Sequence, residues 1–267
     1  EYFEAGACVA PGDVVVDVGA NVGAFAMRAA DRTSGDVTIH CFEPAPITFA
    51  SLRENLNRHP TLAGGTSTAS CVALTRPELA GQERAFYYFS RMPTNSTYDL
   101  EGKRAEFQVY FALKAQDVER ALIRWLPFVG SVLGGLARRV VEAFCHRQNR
   151  VGVWLADKVT GLRVISCATS SLERWSEANR VVRIDLLKID VEGAELDVLL
   201  GCGSMWPTVQ SVALEAHDRD GRLDAIEALL RARGLTSIRR FKPRITEKTG
   251  LDNVVLVAHR KAPGGTR

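Results

Sequence analysis

The stretch Asp17-Val-Gly-Ala-Asn-Val-Gly23 decides the fold because of what lies on either side of it. A short β-branched run, Val14-Val-Val-Asp-Val18, leads into it, and residues 24–32 behind it have the composition of a helix. A buried strand that enters a helix through a glycine turn is typical of the βαβ units of a parallel sheet. We therefore interpret 17–23 as a loop at the carboxyl end of the first strand.

The alternation of strands and helices continues through most of the chain. The predicted strands are 14–18, 37–42, 70–74, 86–90, 186–190 and 211–215, the predicted helices are 24–32, 46–58, 194–200 and 223–233, and 236–241 with 253–259 form a predicted antiparallel pair. This order predicts an α/β fold with a mostly parallel sheet.

Small residues in the first loop predict a ligand site, because open α/β sheets bind ligands at the carboxyl ends of their strands. Gly19, Ala20 and Gly23 would let a ligand approach the backbone closely, and Asn21 tolerates a left-handed conformation better than most residues. The amides of the next helix would face the same ligand. The G-x-x-x-G spacing differs from the G-x-G-x-x-G of dinucleotide sites, and a glycine turn without a ligand is the alternative interpretation.

Glu43 ends the next predicted strand, about 20 positions after the glycine loop. An acidic residue at this place is suited to accept hydrogen bonds from both hydroxyls of a ribose. Sites for NAD share the feature, so it indicates a nucleoside rather than one particular cofactor. The alternative is a carboxylate that only caps the helix after Pro44.

The segment Leu186-Leu-Lys-Ile-Asp-Val-Glu-Gly-Ala-Glu195 is a second motif in which a strand runs into a charged turn. Asp190 and Glu192 would project at the same sheet edge as Gly19. Lys188 lies between apolar residues, so a carboxylate partner is expected if it is buried. The alternative is that the acids only cap the following helix and complement its dipole.

Together these motifs resemble the FkbM family of S-adenosylmethionine (SAM)-dependent methyltransferases. The resemblance is carried by residues 17–25, 42–44, 170–175, 188–195, 213–217 and 253–257. It implies the Rossmann-like class I methyltransferase fold, a seven-stranded, mostly parallel sheet with an antiparallel last strand and helices on both faces. It also implies methyl transfer from SAM, usually to a hydroxyl oxygen of a secondary metabolite, sugar or lipid-linked glycan.

The resemblance also suggests which residues hold the cofactor. Asp17, Gly19, Asn21 and Gly23 match the loop on the methionine side, and Glu43 matches the acid that binds the ribose. We extend the predicted cofactor contacts to Ala20, Val72, Ala73 and Asp190. S-adenosylhomocysteine would be the product.

An alcohol acceptor must lose its proton, and a general base speeds such a step by about 10²–10⁴-fold. His217, Asp190 and Glu192 are the predicted catalytic residues, and Ser96 is a weaker substrate contact. His217 follows a strand whose carboxyl end should face the site, and its pKa suits neutral pH. No metal is predicted. Magnesium held by Asp190, Glu192 and Asp218 is the alternative.

The middle of the chain departs from the family pattern. We divide the chain into a SAM-binding domain, 1–100 and 164–267, and a helical insertion, 101–163, that would lie over the acceptor pocket as a lid. A membrane-surface or carrier-docking helix within 120–150, flanked by arginines, and a dimer interface are the alternatives.

Composition limits the partners. The net charge is +3, and residues 101–165 carry 11 Lys and Arg against 6 Asp and Glu, so the basic surplus lies in the insertion. No basic stripe interleaved with aromatics is present, so nucleic acid is not an expected partner. The expected acceptor is a small molecule, lipid or glycan. The cysteines form no CxxC pair, which favours a reducing, cytoplasmic setting, with membrane association left open.

Two other classes of protein share some of these features. An NAD(P)-type oxidoreductase is disfavoured by the glycine spacing and by the 188–195 motif. A non-catalytic nucleoside-binding protein would keep Gly19 and Glu43 but need no base.

Overall fold

The computed structural model describes residues 2–63, 67–107, 154, 157–217, 221–242 and 253–260. Ten strands form in these ranges: β1 (Asp13–Val18), β2 (Val37–Phe42), β3 (Ser67–Ser70), β4 (Ala73–Leu74), β5 (Glu83–Phe89), β6 (Leu162–Ser170), β7 (Ile184–Ile189), β8 (Val209–His217), β9 (Ser237–Phe241) and β10 (Asn253–His259).

Seven of these strands form the central sheet, in the order β3-β2-β1-β7-β8-β10-β9. The pairs from β3 to β8 are all parallel. β10 runs antiparallel to both β8 and β9. The predicted fold, a seven-stranded and mostly parallel sheet whose last pair is antiparallel, is therefore confirmed.

Helices pack on both faces of this sheet. The helices are α1 (Tyr2–Ala5), α2 (Ala24–Arg32), α3 (Pro46–Arg58), α4 (Leu172–Asn179), α5 (Glu195–Leu200) and α6 (Arg222–Ala232). Because side chains alternate along a strand, Val15 packs with α1, α2 and α3, whereas its neighbour Val16 packs with α4, α5 and α6. Burial of apolar strands on both faces is what keeps a parallel sheet out of water.

A second, three-stranded sheet lies beside the first, in the order β4-β6-β5. It corrects the prediction of one strand over 70–74. β3 ends at Ser70 in the central sheet, and Ala73 pairs with Thr169 of β6 in the second sheet. The apolar run looks continuous in the sequence, but the chain changes its pairing partner at 71–72. The predicted strand 86–90 is present as β5, shifted toward its amino end.

The second sheet also brings the ends of the insertion together. β5 and β6 are antiparallel, with Phe89 opposite Leu162. The chain is helical over 100–107 and again over 157–160. Apart from residue 154, the rest of 101–163 lies outside the described residues. This includes the 120–150 segment, for which a membrane or carrier contact was predicted. In the ranges that are described, no helix is both long and apolar enough to cross a bilayer.

Candidate functional site

Three parallel strands, β2, β1 and β7, end side by side at one edge of the central sheet, and β8 continues beside them to His217. Val18 is paired with Phe42 on one side and Ile189 on the other, and Ile189 is paired with Leu214. The next residue of each strand continues this row. In order across the sheet, the row is Glu43, Gly19, Asp190 and Glu215.

The glycine loop needs the backbone freedom of its first glycine. Gly19 has φ +73°, and a Cβ atom there would collide with the carbonyl oxygen of Asp190. The amides of Gly19 and Ala20 both donate to the carbonyl of Phe42, at 3.0 and 2.9 Å. Asn21 has φ +51°, as its tolerance of the left-handed region predicts. The loop is therefore held tightly against both neighbouring strands.

Gly23 begins α2 with φ +88° and no side-chain cap. A Cβ atom at Gly23 would lie 2.9 Å from Cδ1 of Leu52 in α3. The carbonyl of Val22 accepts a hydrogen bond from Nδ2 of Asn55 at 2.8 Å. These contacts hold the start of α2 close to α3.

Glu43 is held by the glycine loop and faces a cavity of about 250 Å³. Its carboxylate accepts hydrogen bonds from the amide of Asn21 at 3.1 Å and from that of Ala45 at 3.0 Å. Its side chain is 8% exposed. Burial raises the pKa of Glu43 from 4.5 to about 7, although both amides oppose the rise. A ligand with hydroxyl donors at this place would supply the hydrogen bonds that favour the ionised form.

The side chain of Lys188, in the second motif, contacts residues of the first motif beneath the glycine loop. Its Nζ lies 2.9 Å from Oδ1 of Asp17, 3.1 Å from the carbonyl oxygen of Gly19 and 3.5 Å from Oδ2 of Asp190. Burial alone would lower the pKa of Lys188, but the two carboxylates outweigh it and the pKa is raised. The expected carboxylate partner of this lysine is present.

Residues 97–106 contact the second motif at Glu192, where Thr97 and Glu192 line the wall of the cavity. The Thr97 hydroxyl donates to the carbonyl of Glu192 at 2.6 Å. Nζ of Lys103 lies 2.7 Å from Oε2 of Glu192 and also pairs with Glu106. Burial alone would lower the pKa of Lys103, but these two carboxylates raise it. The start of the insertion is thus attached to the second motif.

The cavity brings together most of the predicted site residues. Those that line it are Gly19, Asn21, Glu43, Val72, Ala73, Ser96, Asp190 and Glu192. Asp17 is fully buried beneath the loop and does not line the cavity, so the structure places it as the partner of Lys188 rather than at the predicted cofactor contact. Ala20 and Gly23 are buried in the loop itself and do not line it either.

The remaining predictions fall partly outside the described residues. His217 is the last residue of β8, but its side chain and all of Asp218 are not described. Within the described part of the chain, no three or more His, Cys, Asp or Glu residues are grouped so as to hold a metal ion.

Sequence reasoning missed Glu215, Thr97 and Lys103. Glu215 lines the cavity, and its place at the end of a predicted strand was a signal that could have identified it. Lys103 carried no such signal because it lies in the unassigned insertion, and Thr97 lies just before that insertion, outside the predicted strands and helices.

A cofactor that contains a nucleoside fits this arrangement. Gly19 and Asn21 of the loop line the cavity, and Glu43 stands beside them as a hydrogen-bond acceptor. Val72 and Ala73 add apolar surface next to Glu43 for a flat base.

Comparison with known proteins gives matches to methyltransferases. Residues 149–249 match the model of the methyltransferase FkbM domain. The chain is 31% identical over 247 residues to the 31-O-demethyl-FK506 methyltransferase FkbM of Streptomyces tacrolimicus, covering 91% of this chain and 80% of that protein. It is also 31% identical over 228 residues to methyltransferase sdnD of Sordaria araneosa, covering 82% of this chain and 72% of the relative.

A solved structure supports the fold. The crystal structure of methyltransferase FkbM from Methylobacillus flagellatus KT superposes with a TM-score of 0.51 at 14% identity. The match covers 94% of this chain but only 45% of that one, so this chain spans less than half of the solved protein. With its Rossmann-like sheet, its glycine loop and its relatives, the chain belongs to the FkbM family of methyltransferases.

Proposed function

We propose that this methyltransferase uses SAM to methylate a hydroxyl group of a secondary metabolite, a sugar or a glycolipid. The observation that carries the proposal is Glu43, an almost buried carboxylate held by the glycine loop at the wall of the cavity. A buried acid in this position needs partners that donate hydrogen bonds. The two hydroxyls of a ribose supply them.

The row of strand ends suggests how the cofactor would lie. Neighbouring strands are about 4.8 Å apart, so a ribose at Glu43 puts the rest of the molecule over Gly19 and then Asp190. Val72 and Ala73 would border the adenine on the other side of Glu43. Asp17 would act through Lys188 and the loop rather than by direct contact.

When bound, SAM supplies a methyl group on a positively charged sulfur, which an acceptor oxygen can attack in line. The protein's own residues must align that oxygen and remove its proton. Alignment alone can lower such a barrier by about 7–11 kcal/mol. Asp190 and Glu192, which with His217 are the bases predicted from the sequence, line the cavity where an acceptor would enter.

The choice of a hydroxyl acceptor rests on a relative and on the shape of the site. The Streptomyces relative is named for methylation of a 31-O-demethyl compound, which supports oxygen as the acceptor here. We keep the insertion, 101–163, as the proposed lid that selects the acceptor, since Lys103 and Thr97 attach its start to Glu192. We also propose that residues 120–150 contact a membrane surface or a carrier protein. The proposed setting is the reducing cytoplasm.

Calorimetric titration with SAM, S-adenosylhomocysteine and NAD tests the cofactor. We expect saturable binding of the first two and none of NAD, and weakening of at least tenfold in Glu43→Gln. Glu54→Gln, an exposed acid on α3, is the matched control. Binding of NAD alone would support the oxidoreductase alternative.

A screen with methyl-labelled SAM and hydroxylated acceptors tests the reaction. We expect methyl transfer to a hydroxyl compound in the presence of EDTA. Activity that EDTA abolishes and magnesium restores would contradict the metal-free mechanism. Cofactor binding without transfer to any acceptor would support a non-catalytic protein.

A further inference from the structure

Glu215 is the last carboxylate in the row along the sheet edge, next to Asp190, and β8 continues for two residues beyond it. On the basis of the proposed function, we infer that Glu215 is a further catalytic residue, the group that accepts the proton of the acceptor hydroxyl. Three observations carry this inference: its place in the row, its fixed orientation and the buried phenol beside it.

In the proposed complex, each residue of the row would lie beside a different part of the cofactor or the acceptor. Only C5′ separates the ribose ring from the sulfonium sulfur, so a ribose at Glu43 puts the methyl group one or two strand positions away, over Gly19 and Asp190. Glu215 is three positions from Glu43, about 14 Å along the sheet edge at 4.8 Å per strand. That is beyond the expected position of the methyl group, on the wall of the same cavity.

The orientation of Glu215 is set by the antiparallel strand next to it. Nδ2 of Asn253 donates to Oε1 of Glu215 at 2.7 Å. Asn253 is the first residue of β10 and lies two residues before Val255, which is the register partner of Glu215. A neutral amide directs the carboxylate without adding a charge to it. Asp190 and Glu192, by contrast, take part in ion pairs that hold Lys188 and Lys103 in place.

A buried phenol stands beside this end of the cavity. Tyr2 is 9% exposed, and its hydroxyl lies near the carboxylates of Asp190 and Glu215. Burial, and after it the charges of Asp190 and Glu215, raise the pKa of the Tyr2 hydroxyl well above its ordinary value. The Tyr2 hydroxyl therefore stays neutral and adds a polar group to the space between the two carboxylates.

The proposed step is balanced. The acceptor oxygen forms a bond to the methyl carbon while the carbon–sulfur bond breaks, and the electron pair of that bond stays on sulfur. The hydroxyl proton passes to a carboxylate oxygen of Glu215. The groups that face this carboxylate from the neighbouring elements are Tyr2, Asn253, Asp190 and, behind Asp190, Lys188.

Glu215→Gln in the full chain tests the assignment, with Asp190→Asn as the cofactor-side comparison. We expect Glu215→Gln to keep its affinity for S-adenosylhomocysteine within about twofold, measured by calorimetry, whereas Asp190→Asn loses affinity. With the hydroxyl acceptor that the wild type methylates, Glu215→Gln should lose about 10²–10⁴ in kcat, the usual contribution of a general base. Its remaining activity should no longer fall at low pH, and Glu215→Asp should recover part of the rate.

Each other outcome overturns the inference. Equal losses of S-adenosylhomocysteine affinity in both variants would place Glu215 on the cofactor. An unchanged kcat would exclude it as the base. Glu54→Gln, an exposed acid on α3, controls for surface charge. A wild type that fails to bind S-adenosylhomocysteine would refute the proposed function itself, and one that binds it but methylates no hydroxyl compound would overturn both.

Discussion

Nζ of Lys188 donates a hydrogen bond to the carbonyl oxygen of Gly19 at 3.1 Å, and the same ammonium lies 2.9 Å from Oδ1 of Asp17. Asp17 and Lys188 are register partners on adjacent strands. Lys188 of the second motif therefore supports the glycine loop of the first motif through an ion pair with Asp17 that is almost entirely buried. The glycine loop keeps its shape through this contact as well as through its own backbone.

Removing the lysine should destabilise the protein strongly. Lys188→Met leaves Asp17 buried without its cation, and breaking a buried pair in this way costs about 3–5 kcal/mol. Urea denaturation followed by circular dichroism measures the loss. Arg183→Met, which removes a half-exposed pair with Asp185 at the start of β7, should cost less than about 1 kcal/mol. Similar losses in the two variants would contradict the stabilising role of Lys188.

Gly19 offers a test that separates backbone strain from steric collision. Gly19 and Gly12 both have positive φ, +73° and +82°, but a Cβ atom at Gly12 would meet nothing within 4 Å. Gly12→Ala should therefore cost only the left-handed backbone penalty, about 1–2 kcal/mol. Gly19→Ala should cost clearly more and weaken S-adenosylhomocysteine binding at least tenfold. Equal melting temperatures and affinities in the two variants would refute the close approach of Asp190.

The central sheet could be predicted because its strands follow simple rules. Val37–Phe42 and Asn253–His259 have the predicted bounds, since each is a β-branched run between turn residues. The second sheet could not be predicted. Ala73 and Leu74 continue an apolar run, and nothing local in the sequence says that they pair with β6, almost 100 residues later.

The cofactor side of the site was more predictable than the acceptor side for a physical reason. Gly19 and Glu43 lie within one βαβ unit, so local spacing places them together. Glu215 meets Asp190 only through the register of β7 with β8. Lys103 reaches Glu192 across the fold, 89 residues apart in sequence. Asp17 was predicted as a ligand contact because its position in the sequence shows which strand end it lies near. That position does not show that its side chain is buried against Lys188.

Loss of the ion pair between Lys103 and Glu192 should destabilise the protein more than loss of the neighbouring pair between Arg104 and Asp157. Lys103 is 5% exposed, whereas Arg104, which pairs with Asp157, is 24% exposed. Lys103→Met should cost about 2–4 kcal/mol because it leaves two carboxylates facing each other, and Arg104→Met about 1 kcal/mol or less. Urea denaturation compares them. If the insertion acts as a lid, Lys103→Met should also raise KM for the acceptor more than the Kd for S-adenosylhomocysteine, and the opposite order would contradict it.

Glu43 should make the free energy of unfolding of the ligand-free protein decrease as the pH rises. Its pKa is raised by burial from 4.5 to about 7, so the folded state binds a proton more tightly than the unfolded state. The resulting stabilisation is complete below pH 4.5 and is lost as the pH rises to about 7. At about 1.4 kcal/mol per pKa unit, the loss is roughly 3 kcal/mol. Urea denaturation between pH 4.5 and 8 should show this loss in the wild type but not in Glu43→Gln.

Ligand binding should depend on the same carboxylate with the opposite sign. The ionised Glu43 accepts hydrogen bonds from a ribose better than the neutral acid does, so affinity for S-adenosylhomocysteine should increase as the pH rises through 7. Because binding then favours the ionised form, protons should be released near pH 6.5. Calorimetry in buffers of different ionisation enthalpy measures that release directly. Glu43→Gln should bind more weakly and release none, whereas Glu54→Gln should match the wild type. Proton uptake instead of release would refute a ribose contact at Glu43, because it would mean that the ligand favours the neutral acid.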